Sequence, residues 1–598
     1  MSKTEQYSPL PPWPRTDYCG VLRATAVGRE VALWGWVQTR RDHGGLIFID
    51  LRDRDGIVQL VLNPAHNASA HEAAGETRSE FYVAVKGKVV RRAEGTVNAE
   101  LPTGEIEIAV SAFEILSASA PVPFQIADGE ATAEEIRLKY RYLDLRRPEM
   151  QRNLRRRHQA LQAVRSHLDQ NGFIDVETPI LFKSTPEGAR DYLVPSRVNP
   201  GKFYALPQSP QLLKQILMIG GFDRYYQIAR CFRDEDLRAN RQPEFSQIDI
   251  EMTCPRPEDI QSIAEGMIAS VYQSVLGVDV RPPFPRMLYS EAMERFGVDK
   301  PDTRFAMELK NLTAAFAGTS FKVFAEILAR GESVYGINVT GDHPLTRREL
   351  DELIESVKAR HAMGLAWIKV GEGGAWQGPI AKYLSDNERA AATTTAELKT
   401  GDTLLMVAGQ PDKVRPVLGD IRLQLAAKFE LDKSDELKFL WVIDFPLFEY
   451  NADEKRLVAV NHPFSAPHPD DLAMLESTPL KARALHYDMV LNGQELGGGS
   501  IRIHSRELQL KVFELLGFTR EEAVDRFGFL LDALKYGAPP HGGIAFGVDR
   551  ICMMLCSTDS LRDVIAFPKT QKAVDPMSGA PSEVDPRQLK ELSIKVTS

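Results

Sequence analysis

No apolar run in this sequence approaches the roughly 20 residues that a membrane-spanning helix needs, so a bilayer is not an expected partner. Residues Met1 to Arg15 lack the basic and then apolar order of a secretory leader. Cysteine is sparse: Cys19, Cys231, Cys254, Cys552 and Cys556 make an odd, scattered set with no CxxC pair. Such a set supports neither a disulfide framework nor a zinc site, and it suits a reducing cytoplasm. A positive charge excess is missing too. The formal charge of −9 speaks against a surface that seeks nucleic acid indiscriminately, and DNA is not an expected partner. Internal repeats are absent as well.

What is present is a globular composition, 43% hydrophobic and 26% charged, over 598 residues. That length implies roughly three to five domains. Apolar and polar residues alternate in Val31–Val37, Leu46–Leu51, Ile57–Leu62, Tyr82–Val90 and Glu105–Val110, with turn residues between the runs. Five short strands in this span predict an OB-type β-barrel. Residues 119–150 read as a hinge. Between 137 and 157 stand nine Lys/Arg against two acids, Asp144 and Glu149. A solvated helix face and an RNA-facing stripe both account for that stretch.

A long α+β region opens near residue 151, with a helix expected over Arg155–Asn171 and stopped by Gly172. An interruption from about 301 to 425 has its own helix (Arg347–His361) and strands (Leu365–Val370, Thr403–Ala408), as an inserted domain would. The chemistry-bearing pattern resumes from Phe439. The proline-spaced residues 566–598 read as an extended tail.

Cys231–Glu251 carries the most information. An apolar run (Tyr225–Phe232) predicts a strand, an arginine-rich loop follows, and then a second strand alternates strictly. Phe245, Gln247, Asp249 and Glu251 share one face, while Ile248, Ile250 and Met252 share the other. A charged face joined to an Arg/Glu loop can floor an anion site, since guanidinium grips phosphate in bidentate fashion. Further on, Gly542–Leu555 combines close-approach glycines with Asp549, a good N-cap, and Arg550 in the first helical turn. An arginine there works against the helix dipole, which points to an anionic ligand. Gln211 and Lys214 share a face if that segment is helical. Glu495 and Arg502 would lie on opposite faces of a regular strand. A bulge supplied by the glycines Gly497–Gly499 would realign them.

Taken together, Cys231–Glu251 resembles motif 2 of class II aminoacyl-tRNA synthetases in the aspartyl form, Gly542–Leu555 resembles motif 3, and Gly172–Leu181 resembles motif 1. The resemblance spans about residues 16 to 570. It implies a multidomain α+β architecture: an OB-fold anticodon-binding domain (16–118), a hinge (119–150), a class II antiparallel-sheet catalytic domain in two parts (151–300 and 426–565), an inserted α+β domain (301–425) and a C-terminal extension (566–598). In such enzymes Arg233 holds the ATP α-phosphate and the amino-acid carboxylate, and Arg550 the γ-phosphate; these two are the expected catalytic residues. Asp234, Glu235, Gln242, Glu495, Gly547, Val548 and Asp549 are the further ATP contacts implied. Asp488 and Glu495 would serve Mg²⁺.

The substrate implied is L-aspartate. Ser184–Tyr192 looks like the mobile loop of aspartyl enzymes, with Glu187 beside the substrate ammonium. Gln208–Lys214 matches their aspartate-binding segment, bringing in Gln211 and Lys214, and Arg502 would clamp the side-chain carboxylate. An asparagine substrate would then leave Arg502 buried and unpaired, at a cost on the order of 3–5 kcal/mol. Where aspartyl enzymes commonly carry His-His-Pro-Phe, this chain has Asn461-His462-Pro463-Phe464, so one histidine contact passes to Asn461 or is lost. No nucleophilic dyad is needed. The aspartate α-carboxylate is ionised at neutral pH and can attack the α-phosphorus in line, so the protein has only to position groups and neutralise charge.

The run Trp34–Gln59 is similar to the anticodon-binding barrel of aspartyl and lysyl enzymes. Phe48 would stack on a base, with Arg41 and Gln59 on base edges or phosphate; the residue pattern equally allows Phe48 in the core. Relaxed bacterial aspartyl enzymes, which also charge tRNA(Asn), tend to carry His where strict ones have Leu after Arg-Arg-Asp, and Gly where strict ones have Lys in a nearby loop. His43 and Gly95 stand at those positions, so both tRNA(Asp) and tRNA(Asn) are expected partners of a cytoplasmic homodimer. The alternatives are a strict tRNA(Asp)-only enzyme, an asparagine- or lysine-activating relative, and a non-catalytic RNA-binding paralogue.

Overall fold

The computed structural model describes residues 11–127, 129, 131–185, 189–236, 241–360 and 364–597. These form two compact units: residues 1–155 with 562–582, and residues 156–561 with 583–598.

In the first unit, β1 (Glu30–His43), β2 (Leu46–Asp53), β3 (Gly56–Leu62), β4 (Tyr82–Arg91) and β5 (Ile106–Ser117) close into a barrel in the order β1-β2-β3-β5-β4. The alternation decides which side chains fill it. Ile47, Ile49 and Leu51 of β2 point inward to meet Leu33, Val58, Leu60 and Ile106, while Phe48 and Asp50 point outward. Each such burial is worth about 1.5–3 kcal/mol. β1 extends past Val37 because its pairing with β2 continues to His43↔Leu46 at the hairpin tip.

Part of the basic stretch turns inward, whereas Lys139, Arg152 and Arg155 are exposed. The carboxylate of buried Asp144 lies 2.9 Å from Arg137 Nε, 2.5 Å from an Arg141 nitrogen and 3.5 Å from an Arg147 nitrogen. Arg141 also donates to the carbonyls of Arg562, Ile565 and Ala566. A guanidinium has five donors, so one buried arginine can satisfy several chain ends at once. Nor is the expected hinge featureless: it holds helices Glu134–Lys139 and Arg141–Asp144.

The long helix runs Pro148–Gln170 and so starts earlier than expected, at a proline that suits a first helical position. In the second unit the chain forms β6 (Ile174–Asp175), the hairpin of β7 (Leu193–Pro195) and β8 (Phe203–Ala205), then β9 (Arg224–Phe232), β10 (Glu244–Thr253) and β11 (Arg286–Leu288). Next come β12 (Leu309–Asn311), β13 (Ser333–Val339), β14 (Ala366–Val370), β15 (Trp376–Gln377) and β16 (Thr403–Gly409), a separate sheet ordered β12-β13-β16-β14-β15. β16 is buried on both faces: Leu404 and Met406 join one apolar cluster, Leu405 and Val407 the other. That double burial explains its unbroken apolar sequence. The helix Pro411–Lys428 completes this region, ending slightly beyond the expected boundary.

The chain returns with β17 (Phe439–Ile443), the hairpin of β18 (Phe448–Asn451) and β19 (Arg456–Ala459), β20 (His486–Leu491), β21 (Gln494–Ile501) and β22 (His541–Gly547). The main sheet is ordered β11-β17-β20-β21-β22-β10-β9-β6, antiparallel except for the edge pairs β11–β17 and β6–β9. Arg286 pairs with Trp441, so the chain leaves and re-enters one sheet at adjacent points, as an insertion requires. The C-terminal residues are not wholly extended: Pro586–Glu591 is a short helix capped by the Asp585 side chain.

Candidate active site

One face of the main sheet is built to leave room. Reading across β20, β21, β22 and β10, the aligned rows are Asp488–Gly498–Ala545–Asp249 and His486–Ser500–Gly543–Glu251. The two central strands contribute only Gly, Ser and Ala here, so a trough lies on bare backbone between charged walls. The glycines are required by space. A Cβ on Gly543 would lie 2.0 Å from Glu251 Oε2, and one on Gly498 would lie 2.3 Å from Asp488 Oδ1.

At one end a cavity of about 300 Å³ is lined by Arg233, Glu235, Gln242, Glu495, Gly547 and Arg550, together with Arg241, Phe245, Gln247 and Asp549. Arg233 leaves the end of β9, its guanidinium 5.1 Å from the Phe245 ring centre, and its buried Nε has no partner among the described residues. Glu235 is held by Arg241 at 3.1 Å. Arg550 donates to the Glu495 carbonyl and lies 3.8 Å from its carboxylate. Two arginines thus reach the cavity from two motifs far apart in sequence.

Other residues expected here are placed differently. The helix starts at Val548 with Gly547 as N-cap, so Asp549 is not the cap. Its carboxylate accepts instead from the Ser246 N–H at 3.0 Å and from Arg157. Both oxygens are engaged with the protein, which makes Asp549 a brace between β10 and the helix carrying Arg550. The Val548 side chain is buried in the core, away from the cavity. Asp234 faces Arg190 at 3.8 Å, also outside the cavity lining. Glu187 lies outside the described residues.

The other end of the trough is a buried charge network. Lys214, on the helix Gln211–Ile219, sits 3.1 Å from Asp249 and 3.4 Å from Glu251. Arg502 binds Glu251 in bidentate fashion at 3.0 and 3.1 Å, and donates to His462 Nε2 and Ser500 Oγ, both at 2.7 Å. The expectation that Arg502 waits unpaired for a substrate is therefore corrected: its desolvation is already offset by Glu251. Burial pushes the Asp249 carboxyl up, more than Lys214 pulls it down. Burial acts likewise on Glu251, but Arg502 and Lys214 together hold it below the usual range. His462 is kept neutral by its burial and by Arg502. Nε2 faces the Arg502 donor, and Nδ1 accepts from the Phe464 N–H at 3.2 Å. Gln211 Nε2 and Asp249 Oδ2 have no partner among the described residues. Asn461 is exposed beside this network.

A β-bulge joins the two ends. Met489 pairs with Gly497 but Val490 with Glu495, so Leu496 is the extra residue. Without it Glu495 would face away from Asp488; with it Glu495, Asp488 and the Arg502 side share one face. The bulge predicted from the glycines is present, one residue before them. Glu495 is raised above the usual carboxyl range, first by burial and then by Asp488. Among the described residues no three His, Cys, Asp or Glu groups close on one point. Two adjacent carboxylates still fit Mg²⁺, which commonly takes one or two from the protein and the rest from phosphate and water. His486, which the sequence reading missed, bonds Asp488 at 2.8 Å. Its i, i+2 spacing from Asp488 on a strand was the available signal.

On the barrel, Phe48 is half-exposed, paired with Arg41 on one side and Val61 on the other. In the next row Asp50 pairs with Gln59, whose amide reaches Glu107 at 3.3 Å. Arg41 is exposed and 3.1 Å from Asp50. The row therefore presents Phe48 between exposed Arg41 and part-buried Val61 on the outer face, and Phe48 is not a core residue. His43 is exposed at the hairpin tip, and Gly95 is exposed in the β4–β5 loop at φ +84°.

Such a trough, floored by small residues and entered by paired arginines on a mainly antiparallel sheet, belongs to the class II aminoacyl-tRNA synthetase fold. An asparaginyl-tRNA synthetase of Pyrococcus horikoshii complexed with asparaginyl-adenylate superposes with a TM-score of 0.59 at 21% identity, over 93% of this chain and 98% of that one. Residues 133–571 match the class II tRNA synthetases (D, K and N), and residues 31–116 match the OB-fold nucleic acid binding domain. The chain belongs to this D, K and N family of class II tRNA synthetases. An Aspartate--tRNA(Asp/Asn) ligase of Oleidesulfovibrio alaskensis is 56% identical over 98% of this chain and 96% of its own. That of Caldanaerobacter subterraneus subsp. tengcongensis is 56% identical over 97% and 98%.

Proposed function

We propose that this enzyme attaches L-aspartate to tRNA at the expense of ATP, through an aspartyl-adenylate, and that it charges both tRNA(Asp) and tRNA(Asn). The observation that carries the reading is the adjacency, in one trough, of the arginine-lined cavity and the buried Lys214–Arg502 compartment. The names of relatives at 56% identity support the same activity.

In this reading ATP lies in the cavity, its adenine beside Glu235 and Gln242, its α-phosphate on Arg233 and its γ-phosphate on Arg550. Aspartate lies over Gln211, Lys214, His462 and Arg502, with Asn461 at the rim and Glu187 on its ammonium. Arg233 lowers the repulsion between the attacking α-carboxylate and the α-phosphate, and pyrophosphate leaves toward Arg550. The 3′-hydroxyl of tRNA then takes the aspartyl group from the adenylate. Mg²⁺, held by Asp488 and Glu495, would supply charge neutralisation on the phosphates.

Selectivity for aspartate rests on charge balance rather than on an empty clamp. Lys214 and Arg502 face Asp249 and Glu251, and Asp249 is the acid most easily kept protonated there. A substrate carboxylate finds two cations to pair with there, whereas a neutral amide gains little. On the barrel, Phe48, Arg41, Gln59, His43 and Gly95 would read the anticodon. A homodimer formed along the β6 edge would cover Ile174, Ile180 and Leu181, each about half exposed. The five free cysteines suit a cytoplasmic setting.

Aspartate-dependent exchange of pyrophosphate into ATP tests the reading. Exchange with aspartate, and at least a hundredfold less with asparagine or lysine, is the expected result. Equal exchange with asparagine would overturn the charge-balance account.

A further inference from the structure

We propose that His486 is a positioning residue for Asp488, fixing the orientation of that carboxylate toward the metal. The inference rests on the assignment of Mg²⁺ to Asp488 and Glu495 given above.

Three observations carry it. His486 and Asp488 stand two apart on β20, both buried, with Nε2 2.8 Å from Asp488 Oδ1. A carboxylate oxygen can only accept, so Nε2 donates to it, while Nδ1 is buried with no partner among the described residues. The ring therefore holds one oxygen of Asp488. Second, the carboxylate occupies space that only a glycine leaves open. It lies across Gly498, where a Cβ would sit 2.3 Å from Oδ1 and 3.7 Å from His486 Nε2. Third, the His486 ring is itself packed edge-on against Phe445, with centroids 4.8 Å apart. A locked ring donating to Oδ1 leaves Oδ2 for a ligand on the trough side, where the Leu496 bulge has brought Glu495. Partners behind metal ligands commonly act this way, orienting the ligand and sharpening its affinity.

The test uses the full-length protein with Mn²⁺ as probe, in the presence of a non-hydrolysable ATP analogue, and reads free Mn²⁺ by electron paramagnetic resonance. His486→Leu removes the donor and keeps apolar bulk; His486→Gln returns an N–H near the place of Nε2; Asp488→Asn reports on the ligand itself. Expected is Mn²⁺ binding about tenfold weaker in His486→Leu, recovered to within about threefold in His486→Gln. The aspartate KM and the thermal midpoint of both stay near those of the parent. Weakened binding in Asp488→Asn with parent-like binding in His486→Leu would overturn the positioning role while leaving the metal assignment standing. A His486→Gln variant as weak as His486→Leu would also overturn it, because the bulk of the ring and not its donor would then matter. Parent-like binding in Asp488→Asn would overturn the metal assignment and this inference with it.

Discussion

Arg502 is the residue on which the buried charged end of the trough depends. It is fully buried and holds both oxygens of Glu251, so its loss strands a buried carboxylate. Arg502→Met should destabilise the fold by on the order of 3 kcal/mol. It should also reduce aspartate-dependent exchange by more than a hundredfold. Urea denaturation reads the first effect, and an unchanged midpoint would contradict the pairing described. His462 adds a pH dependence. Its folded form resists protonation, whereas in the unfolded chain it titrates near 6.5. Below that value the unfolded chain takes up a proton that the folded one refuses, so this contribution to stability is lost as the pH falls. Between pH 7.5 and 5.5, His462→Gln should lose less stability than the parent, by on the order of 1 kcal/mol. Identical pH slopes would count against a buried, neutral His462. Many of these residues were legible in sequence, since Arg233, Lys214, Arg502 and Arg550 stand in recognisable strings. Their partners were not: Glu251 lies far from Arg502 in the chain, and nothing local shows that Asp549 spends its carboxylate on Arg157 and Ser246. A clamp read from sequence looks empty because only the fold shows which acid already fills it.

At the scale of elements, β21 carries the device that makes the trough work. Sequence alternation alone puts Glu495 and Arg502 on opposite faces, and the glycines hint at a bulge without locating it. The structure puts it at Leu496, beside the glycines that floor the trough. Deleting Leu496 restores regular pairing and turns Glu495 from the Asp488 face. Exchange should then fall by at least a hundredfold, since a misplaced group costs that much even when the fold survives. Retained activity in a folded deletion variant would show that Glu495 does not act from that face. On the barrel, β1, β2 and β3 set Arg41, Phe48 and Val61 in one outward row. Phe48→Ala should raise the KM for tRNA by roughly 5- to 150-fold, the equivalent of about 1–3 kcal/mol of stacking. Pyrophosphate exchange, which needs no tRNA, should be unaltered; a parallel loss there would place Phe48 in the barrel's stability instead. The barrel strands were easy to read because period-2 burial repeats in each. The early start of the Pro148 helix and the inward turn of the basic stretch were not, because solvated and buried arginines look alike in sequence.

For the whole molecule, the chain divides into two units, one holding the closed barrel and the other the main sheet with its trough. The change of period along the chain marks the barrel and sheet segments, and β11 pairs with β17 across the residues between them. The breadth of tRNA choice rests on much less, His43 at a hairpin tip and Gly95 in an open loop. Side-by-side aspartate charging of tRNA(Asp) and tRNA(Asn) transcripts by the purified protein tests the central claim most directly. Charging of both, with kcat/KM values within about tenfold of one another, is the predicted result. Charging of tRNA(Asp) alone would contradict the relaxed reading of His43 and Gly95, and charging of neither by folded protein would contradict the enzyme.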